Sequence, residues 1–258
     1  MTDADKPPVD PEFRENAPTP TLVPTEEVEE GLRLHREWVE SKGEQGKRLS
    51  FHRAVLTDAY FQGADLRGAD FSQAILQGAE LQNANLFKAN FSEANLKGAS
   101  LQKAQLREAN LTSAHLIEAN LQEADLRKAV LQRADLRDAD LLESILMRAD
   151  LTMAFAHGAN LFMADMRHAI CVEINLQEAD LQGADLREAD LSLAQAQDAK
   201  MAGAELEGAV LEKADFLDAL GLTADQVEGA VIDARTRWPT YLRDEVVFES
   251  PDIERAAK

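Results

Sequence analysis

A five-residue period runs without interruption through two thirds of this chain. From Phe51 to Phe216 every fifth residue is apolar, which gives (216 − 51)/5 + 1 = 34 positions in one frame. The residue two places before each of them is alanine in 31 of the 34 units, the exceptions being Leu49, Ser144 and Ile174. The residue between the two is Asp or Asn in 18 units. The backbone must therefore return to an equivalent environment every five residues.

Neither an α-helix nor an ordinary β-strand can use this period. A step of five residues rotates about 140° around a helix, which would spread the apolar side chains over all its sides. Five is also odd, so alternation along a strand would place them on both faces. A chain that turns a corner every five residues keeps each apolar residue and each alanine inside. Asp and Asn suit such corners because their side chains accept hydrogen bonds from nearby backbone amides.

Units such as Ala64-Asp65-Leu66 and Ala94-Asn95-Leu96 resemble the A(D/N)LXX signature of the pentapeptide-repeat family. The resemblance covers residues 49–218 and implies an all-β solenoid, a right-handed quadrilateral β-helix with four pentapeptides per coil. The 34 units then make 34/4 = 8.5 coils. The resemblance implies a fold but no single function, because one fold can serve many partners.

The segment before the repeats is predicted to contain a tail and a cap. Residues 1–24 hold six of the eight prolines and are predicted to be a disordered tail. Residues 25–48 are predicted to form an N-terminal capping helix, with Thr25 as a candidate N-cap. The string His35-x-x-Trp38, followed by Ser41, Gly43 and Gly46, looks like a lead-in that precedes the repeats in this family.

Residues 219–258 are predicted to form a C-terminal capping helix and a tail. Thr223 and Gln226 fit a capping box, and Val227, Ala230, Val231 and Ala234 would share one helix face. Glu245 onward is predicted to be an edge strand or a loose tail. Caps are required at both ends because an open coil would expose sheet edges and core leucines.

Composition excludes several classes of protein. The net charge of −20 predicts a soluble chain that does not bind nucleic acid directly. The N-terminus lacks a basic, apolar leader and no apolar run is long enough to cross a bilayer, so a cytoplasmic location without membrane insertion is expected. A single cysteine, Cys171, excludes an intramolecular disulfide. No phosphate loop or catalytic triad is recognisable. We therefore predict no enzyme, no catalytic residue, no cofactor and no metal site.

Charge is uneven along and around the predicted rod. Residues 49–133 carry 9 basic and 9 acidic residues, whereas residues 134–218 carry 6 basic and 18 acidic ones, a net charge of −12. One face is predicted to be acidic through Asp135, Asp138, Glu178, Asp198, Asp215 and Asp218. An arginine column on another face comprises Arg67, Arg107, Arg127, Arg167 and Arg187. This column is either a solubilising charge ladder, since four of its members follow an Asp by two residues, or a grip for an acidic partner.

Outward apolar residues are rarer and indicate a contact surface. Leu142 and Phe162 occupy the same outward slot one coil apart, and Ile145, Met147 and Met163 lie around them. We call these five residues the corner patch. An apolar cluster on so charged a rod is typical of a binding site. The occupant is left open: a protein partner, a second copy of the chain, or the C-terminal tail or N-terminal helix folding over the patch.

The sequence therefore predicts a non-enzymatic interaction scaffold that binds a protein partner. The family resemblance implies an alternative, since some pentapeptide-repeat proteins mimic duplex DNA and protect DNA gyrase or topoisomerase from inhibitors. A homodimer through the C-terminal end or the corner patch also stays open. The neutral half of the solenoid and the arginine column depart from the mimic pattern.

Overall fold

The structure, a computed structural model, describes residues 21–243. Its regular elements are strand β1 (Thr21–Leu22), helix α1 (Thr25–Glu40), strand β2 (Ala54–Val55) and helix α2 (Ala224–Val227). Between β2 and α2 the chain forms a right-handed quadrilateral β-helix, held by isolated parallel bridges between residues 20 positions apart. This confirms the predicted solenoid and the period of four pentapeptides per coil.

Each pentapeptide contains one tight turn that makes the corner. In the unit that begins at Leu76, the amide of Ala79 donates to the carbonyl of Leu76 across 3.1 Å. The third residue of each such turn has a positive φ; it is glycine at Gly78 and Gly98 but a charged residue such as Lys88 at many other corners. Such backbone strain persists only because the ladder of hydrogen bonds on both sides fixes the corner.

Where an Asp or Asn precedes the inward residue, its side chain stabilises the following corner. The Oδ1 atom of Asp70 accepts hydrogen bonds from the backbone N–H and the hydroxyl of Ser72, at 3.1 and 2.7 Å. Asn90 repeats the backbone bond to Ser92 one coil further on and also donates to Asp70. The side chain thus satisfies an amide at the turn, as the sequence indicated.

The interior consists of one continuous apolar column. Inward leucines and alanines from Leu66 to Ala219 are buried almost without exception. Near the N-terminal end, Phe51, Phe71 and Phe91 lie in one column with ring centroids 5.8 and 4.9 Å apart, and the rings of Phe71 and Phe91 are stacked. Alanine occupies most of the slots beside the corners because the neighbouring turn leaves little room for a larger side chain, and Ile174 is an exception.

The C-terminal cap is mostly an extension of the ladder rather than a helix. The capping box at Thr223 and Gln226 is present, but α2 comprises only Ala224–Val227 and therefore one turn. The longer helix predicted through Ala234 is wrong, because Val231 pairs with Val210 in the ladder. Trp238 stacks on Phe216, with ring centroids 5.6 Å apart, and covers the last inward position.

Side chains complete the hydrogen bonding of this last coil. Gln226 donates from Nε2 to the carbonyls of Met201 and Ala204, both at 2.8 Å. The Thr236 hydroxyl donates to the carbonyl of Leu211 at 2.9 Å, and the Tyr241 hydroxyl donates to the carbonyl of Ala219 at 2.9 Å. The bonds to Ala204 and Ala219 replace the ladder donors that a further coil would provide, whereas the carbonyls of Met201 and Leu211 also accept the turn amides of Ala204 and Ala214.

At the N-terminal end a strand and a helix cover the first coil. β1 pairs in parallel with β2, so residues 21 and 22, which we predicted to belong to a disordered tail, extend the sheet instead. The physical reason is that the open edge at Ala54–Val55 offers unpaired backbone groups. The rest of the predicted tail, residues 1–20, and the C-terminal residues 244–258 lie outside the described residues.

Helix α1 is fastened to the solenoid by the lead-in string. The N-cap of α1 is Pro24, not Thr25 as predicted, and no side chain caps the helix. His35 is fully buried, stacks on Trp38 and accepts the backbone N–H of Leu49 at Nδ1 across 3.0 Å. Burial lowers the pKa of His35, which favours the neutral ring that this bond needs. Gly46 has a positive φ, and any Cβ there would collide with the carbonyl of Leu34.

No helix within residues 21–243 has the length and apolar character needed to cross a bilayer.

Candidate protein-binding surfaces

The corner patch lies on the surface of the rod where two faces meet. Phe162 and Met163 are 37% and 54% exposed, and Leu142, Ile145 and Met147 are partly exposed. Helix α1 packs on the first coil, around Leu49 and Phe51, so it does not cover this patch. The C-terminal tail considered as another cover lies outside the described residues.

Two polar columns are interrupted at the corner patch. One outward column carries Gln at 62, 82, 102, 122 and 182, and Leu142 and Phe162 occupy the two slots between. On the adjoining face, Ile145 and Met147 stand where the coils on either side have an Asp–Arg pair. The apolar residues of two neighbouring faces thus meet at one corner and form a single surface.

Most arginines of the arginine column are paired within their own coil. Arg67, Arg127, Arg167 and Arg187 each donate two hydrogen bonds, from Nε and Nη2, to the Asp two residues earlier. In Asp65, Asp165 and Asp185 the bonds from the following arginine lower the pKa of the carboxyl group. These contacts favour the charge-ladder interpretation, because a bidentate arginine is already occupied by its own carboxylate.

Two of the six residues predicted for the acidic face do not present a surface charge. Asp135 is buried and accepts two hydrogen bonds from Arg137. Asp215 is buried and accepts from Gln197 and Arg237. Both directly precede an inward residue, a position at which the carboxylate folds back onto its neighbours, so counting charges by column overstated the exposed charge on this face.

The other four residues form an exposed row that we call the acidic edge: Asp138, Glu178, Asp198 and Asp218. Each is the third residue of a turn with positive φ, and Gly158 occupies the vacant slot of the row. Successive slots are about 4.8 Å apart, so the row covers about 19 Å. His157 approaches Glu178 at 3.5 Å, and it could offset that charge only when protonated. The C-terminal half of the rod thus presents a line of negative charge.

The described residues offer little for catalysis. In residues 21–243 no group of three or more His, Cys, Asp or Glu side chains is placed to hold a metal ion. Cys171 is fully buried, and burial raises the pKa of its thiol, which suppresses the nucleophilic thiolate. The depression lined by Arg167, His168 and Arg187 is an open groove on a charged face.

A second apolar surface escaped the sequence analysis. We call it the apolar strip, and its residues are Met153, Ile170, Val172, Leu193, Val210 and Val231. Bridges place Ile170, Asp190, Val210 and Val231 in successive coils of one column. The alternating Asp in this column concealed the strip, although reading every twentieth residue would have found it. The strip lies on the face opposite the one that carries Leu142 and Phe162.

Comparisons with known proteins agree with this architecture. The family model for pentapeptide repeats matches in eight copies, and the matched ranges overlap and together span residues 54–219. No curated protein sequence matches the chain.

Several solved structures are similar to the chain. HetL, a pentapeptide repeat protein involved in heterocyst differentiation regulation from the cyanobacterium Nostoc sp. strain PCC 7120, is 32% identical over 78% of this chain and 93% of its own, with a TM-score of 0.30. A second pentapeptide repeat protein from Nostoc is 33% identical over 48% of this chain and 84% of its own, with a TM-score of 0.26. A trypsin-treated variant of QnrB1, a plasmid-mediated fluoroquinolone resistance protein, is 20% identical over 72% of this chain and 91% of its own, with a TM-score of 0.41.

Proposed function

The chain belongs to the pentapeptide-repeat family, and from this premise we propose that it is a non-enzymatic, cytoplasmic interaction scaffold that binds a protein through the corner patch. The solenoid supplies a rigid rod whose surface residues repeat every 20 positions, so a patch on it is held in a fixed geometry. The thiol of Cys171 is buried, and many outward side chains are engaged in hydrogen bonds and ion pairs with one another. Such a surface suits protein binding better than catalysis.

The single observation that supports this proposal most is the exposed apolar corner itself. Phe162 and Met163 are exposed, and apart from Leu142 the slots one coil above and below them hold Gln182, Glu143 and Gly183. Apolar surface left in water forgoes about 25 cal/mol for each Å² that a partner could cover. An aromatic and a methionine side chain at the centre of a polar surround are typical of an interface core.

The double substitution Leu142→Lys with Phe162→Glu is expected to remove partner binding while the rod stays folded. Both side chains point outward, so the cost to stability should stay within about 1 kcal/mol. Partner binding is measured by pull-down with the purified chain, self-association by light scattering, and folding by thermal melts. Loss of a bound protein supports a partner, and a halved mass supports a second copy as the occupant.

The matched control is Gln102→Lys with Gln182→Glu, which places the same new side chains in polar slots of the same column. This control should keep the mass and the partners of the parent chain. If the patch variant keeps them too, the corner patch is tolerated surface hydrophobicity and the proposal is wrong.

The acidic edge favours a second candidate function, mimicry of duplex DNA toward gyrase or topoisomerase. Its carboxylates are exposed, aligned along the rod and concentrated in the half with a net charge of −12. A row of negative charge can occupy a basic groove that normally holds phosphates. The carboxylates of Asp135 and Asp215 contribute little to this row because they are buried.

If the acidic edge binds such a groove, reversing Asp138, Glu178, Asp198 and Asp218 to Lys should abolish any effect of the chain on gyrase supercoiling with or without a quinolone. The effect of the parent chain should also weaken steeply with salt, because exposed charges are screened. Reversing Glu93, Glu108 and Glu123 is the control, since these residues occupy exposed turn positions of other columns in the neutral half. An effect that ignores salt, or that both reversals remove equally, would exclude mimicry by this edge.

A further inference from the structure

The apolar strip is a continuous surface on the C-terminal half of the rod. Met153, Ile170, Leu193 and Val231 are between 37% and 49% exposed. Val210 and Val231 are direct ladder partners, and Val172 lies two residues beyond Ile170 on the same face. The strip therefore contains one or two apolar side chains in each of five successive coils. Four coil spacings of about 4.8 Å give it a length of about 19 Å.

Carboxylates interleave with and border the strip. The outward positions of this face and its corner from 150 to 213 carry Asp150, Glu173, Asp190 and Glu212 against one cation, Lys213, a net charge of 1 − 4 = −3. Glu173 lies at the corner between Met153 and Leu193, and it is exposed. Asp190 accepts the backbone N–H of Ser192, so its carboxylate is held on the surface beside Ile170. A partner must therefore satisfy apolar and negative groups together.

This charge decides between the occupants of the strip. A second copy would bring together two half-rods that each carry a net charge of −12, and like charges at an interface oppose association. An anionic membrane surface would be repelled for the same reason. The same carboxylates that disfavour a second copy and an anionic membrane would attract a basic polypeptide segment. A positively charged polypeptide with an apolar face fits both parts of the surface.

We propose that the apolar strip is a second docking surface, which takes a basic amphipathic helix of a partner protein. A straight helix presents one apolar stripe flanked by charged side chains, which matches a straight apolar row bordered by carboxylates. A length of about 19 Å corresponds to about 13 helical residues, or three to four turns. This surface is independent of the corner patch, because the two lie on different sides of the rod.

The test uses the full chain and a synthetic probe, a fluorescent peptide of about 14 residues built from Leu on one face and Lys on the other. Peptide binding is measured by fluorescence anisotropy at low and high salt. Ile170→Gln with Leu193→Gln removes apolar contacts without changing charge and should weaken binding at least about tenfold, or about 1.4 kcal/mol. A peptide with Glu in place of Lys should not bind.

The control variant is Leu142→Gln with Phe162→Gln, which removes two outward apolar side chains from the corner patch instead. It should bind the peptide within about twofold of the parent chain, so a failure of this inference can be told from a failure of the proposed function. Thermal melts verify that both variants fold. Equal binding by the strip variant and the parent, equal weakening by both variants, or binding of the Glu peptide would each overturn the proposal.

Discussion

Replacing Leu126 with arginine is expected to abolish the cooperative thermal transition of the rod or to lower its midpoint by about 10 °C or more. Leu126 is fully buried, and its column neighbours Leu106 and Leu146 are fully buried too. An unpaired guanidinium there would cost several kcal/mol in lost hydration, and about 2 kcal/mol of leucine burial would be lost as well. That sum is comparable with the whole stability of a typical domain, about 5–15 kcal/mol.

The matched control is Gln105→Arg, which places the same residue at an exposed outward position one coil away. The free energy of unfolding of this control should lie within about 0.5 kcal/mol of that of the parent chain. The midpoints are measured by thermal melts followed by circular dichroism for the parent chain, Leu126→Arg and Gln105→Arg. Similar midpoints for Leu126→Arg and Gln105→Arg would show that the inward and outward positions have been assigned wrongly.

Replacing Ile174 with alanine is expected to destabilise the rod by about 2–5 kcal/mol, although it restores the usual residue of the repeat. Ile174 occupies an alanine slot and is fully buried. It lies two residues before Leu176, whose column neighbours in the coils on either side are Ala156 and Ala196. These two alanines occupy positions that are Leu or Phe in the other coils of their column, and we infer that the larger Ile174 fills the volume that they leave. Its removal would leave a cavity.

A double variant that restores the usual residues of the repeat at positions 174 and 156 tests whether Ile174 compensates for the small Ala156. Ile174→Ala with Ala156→Leu should recover part of the stability lost in Ile174→Ala, whereas Ala156→Leu alone should cost about 1–3 kcal/mol through overpacking. Such coupling between neighbours is what a double-mutant cycle measures. Ile170→Ala is the control, because that isoleucine points outward on the same coil. If urea unfolding shows that the free-energy changes of Ile174→Ala and Ala156→Leu simply add in the double variant, the two side chains do not compete for the same volume.

The solenoid was predictable because the position of a residue within the five-residue repeat determines whether its side chain is buried or exposed. An unbroken frame from Phe51 to Phe216 fixes which residues point inward and which residues neighbour each other one coil apart. The corner patch followed from that register, and the structure exposes its residues to different degrees. The register alone could not show that Asp135 and Asp215 fold back into hydrogen bonds, because it assigns a side chain to a column but not a direction within it.

The caps were predictable only in part because the period ends before them. After Phe216 the ladder offset grows from 20 residues to 21 for Val210 with Val231 and to 22 for Asp215 with Arg237. Local signals such as the capping box place the start of α2 correctly, but they cannot show that the chain rejoins the ladder after one turn. The sheet edge that attracts Val231 is a tertiary feature, and it overrides the helical preference of nearby residues.

The 20-residue register also determines how insertions and deletions can be accommodated. Removing 20 residues takes out a whole coil, so every column above the deletion keeps its face and the rod shortens by about 4.8 Å. Removing five residues takes out one side instead, which turns everything toward the C-terminus by about a quarter of a revolution relative to the rest. The corner patch and helix α1 could thus be turned relative to each other without altering a single residue of either. A change of one residue has no such solution, since it moves leucines into outward slots throughout the remaining coils.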